Sequence, residues 1–109
     1  MGEPRQANLV TMAQYLVERK LMDVSKRLRK AREELAVADE QFNALAEVAD
    51  EARIRSLVSE TPLAARESHE AQRHAEAMGG ARDSLASQVK RLEAELDELL
   101  DKLVPGSAD

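Results

Sequence analysis

The sequence predicts an all-α fold, an antiparallel two-helix coiled-coil hairpin. Three observations carry that expectation. Residues 9 to 58 contain no Pro or Gly and are rich in good helix formers. Apolar residues recur in heptads in both halves of the chain. Between the halves stands Ser59-Glu60-Thr61-Pro62, which ends one helix and starts another.

The first helix is expected over 9–58, after a flexible tail at 1–8 that holds Gly2 and Pro4. Its a positions are Leu21, Leu28, Leu35, Phe42 and Ala49. Its d positions are Val17, Val24, Ala31, Ala38, Leu45 and Ala52. The steps alternate three and four without interruption, the signature of a coiled-coil seam. One step further back, Val10 falls at d but Gln14 falls at a.

A turn is expected at 59–61. Thr61 suits the N-cap of the next helix, and Pro62 suits its first position, where the missing N–H is not needed. The second helix is then expected over 62–104. Its d positions are Ala64, Ala71, Met78, Leu85, Leu92 and Leu99, and its a positions are Ser68, Ala75, Arg82, Val89, Leu96 and Leu103. Pro105-Gly106-Ser107 should stop it and leave 105–109 as a second flexible tail. The seam is strong from Leu85 onwards and thin before it, where Ala dominates and Arg82 intrudes. Gly79-Gly80 costs a helix about 2 kcal/mol relative to two Ala. A kink or break is expected there, with a hinge or a close-packing site as the other readings. Because the seam is thin, the turn end should be looser than the base.

The two registers agree with each other. In an antiparallel hairpin each a residue faces a d residue, and every pair whose numbers add up to 120 meets that rule. Leu28 then faces Leu92, Leu35 faces Leu85 and Phe42 faces Met78. The same rule centres the hairpin on Glu60, inside the turn that was read from its own residues.

Composition narrows the function. A chain of 109 residues makes one domain. It has no Cys, so no disulfide and no thiolate metal site. His69 and His74 are five residues apart and diverge on a helix, while Glu70 and His74 share a face; two ligands do not hold a metal. Paired carboxylates such as Glu33-Glu34 and Asp97-Glu98 belong to solvated faces, because a two-helix hairpin offers no dry pocket to set their pKa values apart. No catalysis, cofactor or metal is expected. The formal net charge is −5. A basic run from Arg19 to Arg32 has no aromatic residues interleaved for base stacking. Both features argue against nucleic acid as the partner. No apolar run is long enough to span a membrane, and no signal peptide is evident. The expected compartment is the cytoplasm, with secretion without a cleaved signal left open. The length and hairpin shape resemble small secreted helical hairpins that carry a Trp-x-Gly turn. Here Ser59-Glu60-Thr61-Pro62 stands in place of that turn, and no residue roles carry over.

The expected function is therefore a non-catalytic protein–protein interaction module or structural adaptor. The alternative is a regulator that contacts nucleic acid or the transcription machinery through the basic face or the tip. Two surfaces are candidates for protein contact. At the base, Leu9, Met12, Tyr15 and Leu16 are too broadly apolar for one seam and precede the first residue with a facing partner. They are expected to form a homodimer contact, or else a short helical segment folded back on the hairpin. At the tip, Arg53, Arg55, Leu57, Val58, Glu60, Leu63 and Arg66 mix charge with apolar side chains, as protein contacts do.

Overall fold

The computed structural model describes the backbone of residues 3–103 and the side chains of residues 10–103. The chain forms two helices, α1 (Glu3–Ser59) and α2 (Pro62–Leu103), in an antiparallel hairpin. The expected helix end at Val104, the stop at Pro105-Gly106-Ser107 and the tail at 105–109 lie outside the described residues, as does the Leu9 side chain.

α1 begins earlier than the sequence predicts. Glu3 to Asn8, the described part of the expected tail, are helical. Pro4 falls in the first turn, where backbone N–H groups have no intrahelical partner, so it does not oppose the helix. The residues before Val17 are the opening turns of α1 and not a separate segment folded back.

The turn is built as its residues dictate. Glu60 lies in the left-handed region, with φ of 53°. Its N–H donates to the Ser56 carbonyl at 3.0 Å, which closes α1 with a left-handed cap. The Thr61 hydroxyl accepts a hydrogen bond from the Ala64 N–H at 3.1 Å and caps α2, with Pro62 at the first helical position. Ser59 belongs to α1, so the connection is two residues long.

Contacts divide the chain into two units. The terminal unit comprises Met1–Ala31 and Gln88–Asp109. Its core is Val24, Leu28 and Ala31 from α1 with Val89, Leu92 and Leu99 from α2. The turn unit is Arg32–Ser87. Its buried residues are small, Ala38, Ala49 and Ala52 with Ser68, Ala75 and Gly79, while the larger seam residues Leu35, Phe42, Leu45, Met78 and Leu85 are half-buried. Each of these buried residues except Gly79 occupies a predicted a or d position. Burying a Leu pair contributes about 2–4 kcal/mol at ~25 cal/mol per Å², and an Ala pair much less. Ser68, the one polar member, accepts a hydrogen bond from the Gln72 amide at 3.2 Å, so its burial leaves no unmet group.

Gly79-Gly80 does not break α2, which runs unbroken from Pro62 to Leu103. The close-packing reading fits Gly79, but the neighbour is a side chain of the same hairpin and not a third helix. A Cβ at Gly79 would stand 3.0 Å from Cε1 of Phe42, so the glycine makes room for the ring. Gly80 has nothing within 4 Å and makes no such contact. Arg82 is accommodated on the same ring. Its guanidinium carbon lies 4.4 Å from the Phe42 centroid, its Nε 3.8 Å from Asp39 Oδ1, and one terminal nitrogen 3.0 Å from Asp83 Oδ1. The aliphatic stem covers the seam while the charge reaches its edge. These contacts join residues that the 120 rule sets nearly opposite, and so carry the predicted register into the turn unit.

Candidate interaction surfaces

Among the described residues no group of three His, Cys, Asp or Glu is placed to hold a metal. Glu70 and His74 line one shallow groove with Leu45 and Met78. His69 opens into another, beside Leu63 and Arg66. The helical divergence read from the spacing is thus present in three dimensions. Both grooves are open to solvent.

The surfaces of interest are apolar and exposed. In the terminal unit, Val10, Met12, Tyr15 and Leu16 are all exposed, Leu16 to 59%. Val10 continues the d line of the seam, yet no α2 residue within the described chain faces it, because α2 reaches Leu103, opposite Val17. Met22, a residue that sequence reasoning did not select, is 68% exposed on the outer face of α1. Its position one step after the a residue Leu21 was the available signal. Tyr15, Arg19, Met22 and Lys26 line one open groove. Within it the Arg19 guanidinium lies 6.0 Å from the Tyr15 ring centroid and donates to the Tyr15 hydroxyl at 3.4 Å.

In the turn unit, Leu57, Val58 and Leu63 are exposed around the turn, Val58 to 80%. Arg53, Arg55, Glu60 and Arg66 are exposed with them. Ile54 joins this patch and was missed by the sequence reading. It stands at the outermost heptad position between two arginines, where a polar residue is the norm.

The basic run is solvent-facing: Arg19, Lys26, Arg29 and Lys30 are exposed, and Arg27 pairs with Asp23 one turn back at 4.0 Å. Among the described residues no helix is long and apolar enough to cross a membrane. The chain matches no family model, and neither the curated proteins nor the solved structures contain a significant match to it.

Proposed function

We propose that the protein is a non-catalytic helical interaction module that self-associates through the N-terminal stretch of α1. The observation that supports this reading is the run of exposed apolar side chains at Val10, Met12, Tyr15 and Leu16, which no described residue of α2 faces. Apolar surface of this extent is unfavourable in water and marks a contact site. Burying four such side chains contributes about 6–10 kcal/mol. Association costs about 4–15 kcal/mol, so self-association is expected to be weak, with a dissociation constant no tighter than tens of micromolar. A second copy is the natural occupant, since most soluble oligomers are homo-oligomers and the thin core gains from added burial.

Sedimentation equilibrium over a range of concentrations tests the proposal. The mass should rise above that of one chain by high micromolar concentration. Leu16→Glu should return it to one chain while helical circular dichroism stays at the wild-type level. A single-chain mass for the wild type throughout would overturn the reading.

A further inference from the structure

We infer that the contact between copies extends from Tyr15 along the outer face of α1, with residues 15–26 of one copy packed antiparallel against the acidic segment of α1, residues 33–44, of the second. The inference rests on the self-association proposed above and names the counter-surface.

Charge along α1 is segregated. From Arg19 to Arg32 the only acidic residue is Asp23, and from Glu33 to Ala52 there is no basic residue at all. A single solvated helix gains most from mixed charges spaced one turn apart, because such pairs support it internally. Segregation leaves few such pairs, Arg27 with Asp23 among them, and gives two surfaces of opposite sign.

The outer faces of the two segments match residue by residue. On the first, Tyr15, Arg19, Met22 and Lys26 follow each other at steps of four, three and four, which places them on one stripe of the helix. On the second, Glu33, Val37, Glu40 and Ala44 repeat the same steps. All eight side chains are exposed. Laid antiparallel, Lys26 meets Glu33, Arg19 meets Glu40, Met22 meets Val37 and Tyr15 meets Ala44. Each base finds an acid and each apolar residue finds an apolar residue. Laid parallel at the same spacing, every one of the four pairings mixes a charge with an apolar side chain. The small Ala44 leaves room for the Tyr15 ring, and Val37, 52% exposed in the free chain, gains a cover in Met22. Opposite charges flanking apolar contacts fix register and partner choice, as at the edges of coiled-coil seams.

Charge reversal in the full-length protein tests this. One variant carries Arg19→Glu with Lys26→Glu, and a second carries Glu33→Lys with Glu40→Lys. Each alone should self-associate at least tenfold more weakly than wild type by sedimentation velocity, with unchanged helical content. Mixed in equal amounts, they should form a heterodimer of near wild-type affinity, because both sets of pairs are restored. Three outcomes overturn the inference. If reversals leave association unchanged while Leu16→Glu abolishes it, the apolar stretch meets its own copy instead, and the proposed function stands. If reversals weaken association but the mixture does not recover, the charges act through general repulsion and not through these pairs. If the wild type is a single chain at every concentration, the proposed function falls, and this inference with it.

Discussion

The Phe42 ring packs against the backbone of Gly79, at the distance where a β-carbon on that glycine would stand 3.0 Å from ring Cε1. The next residue, Gly80, faces open space. Two adjacent glycines in one helix thus have opposite roles. Gly80→Ala should stabilise the fold by about 1 kcal/mol, the usual helix-propensity gain. Gly79→Ala has the same propensity gain but must displace a ring that also carries the Arg82 guanidinium, and overpacking of this kind costs about 1–3 kcal/mol. Urea denaturation of both variants should separate them by at least ~1 kcal/mol. Equal stabilities would show that the ring moves aside freely.

The turn supplies a second pair of opposed substitutions. Glu60 is held at φ 53°, a region that costs an ordinary L-residue about 1–2 kcal/mol. Glu60→Gly should relieve this and raise stability by roughly 1 kcal/mol after the entropy of the added glycine is counted. Thr61→Ala removes the hydroxyl that accepts from Ala64 and should lower stability by about 1 kcal/mol. Thermal melts with both changes in one chain should nearly cancel. A loss on Glu60→Gly would contradict the cap geometry.

In the terminal unit, burial predicts which apolar residues matter for folding. Leu28 is 3% exposed, and Leu28→Ala should cost about 2–4 kcal/mol. Met22 is 68% exposed, and Met22→Ala should change the stability of the free chain by less than ~0.5 kcal/mol. Denaturant midpoints measured at low protein concentration decide this. A large loss on Met22→Ala there would mean that Met22 belongs to the core.

The difference in core composition also predicts dynamics. The turn unit buries Ala and Ser where the terminal unit buries Leu and Val. Local opening is easier where less apolar surface is lost. Amide exchange over 64–82 should be much faster than over 92–99. Equal protection would contradict the link drawn here between layer volume and local stability.

Much of this architecture is legible in the sequence because it obeys periodicity. Val24, Leu28, Ala31, Val89, Leu92 and Leu99 were all selected as seam residues by heptad spacing, and all are buried. Thr61 and Pro62 announced the start of α2. What the sequence hid depends on side-chain volume across the seam. Gly79-Gly80 reads as a helix break on propensity alone, and only the Phe42 ring on the other helix explains Gly79. Arg82 reads as an intrusion until Phe42 and Asp39 are seen to receive it. Apolar exposure is legible only in part. Met12, Tyr15, Leu16, Leu57, Val58 and Leu63 stand off the seam in the sequence and are exposed, whereas Met22 and Ile54 are single apolar residues set among charges and leave no cluster to read.

The chain has one Tyr and no Trp, and that Tyr lies in the proposed contact. Tyr15 emission therefore reports on the interface without a label. The central claim is that a second copy covers the N-terminal stretch of α1. Iodide quenching of Tyr15 should then fall several-fold as protein concentration rises from low micromolar into the range where the mass increases, and Leu16→Glu should keep Tyr15 open to quenching throughout. If quenching stays constant across that range in the wild type, Tyr15 remains in water and the claim is contradicted.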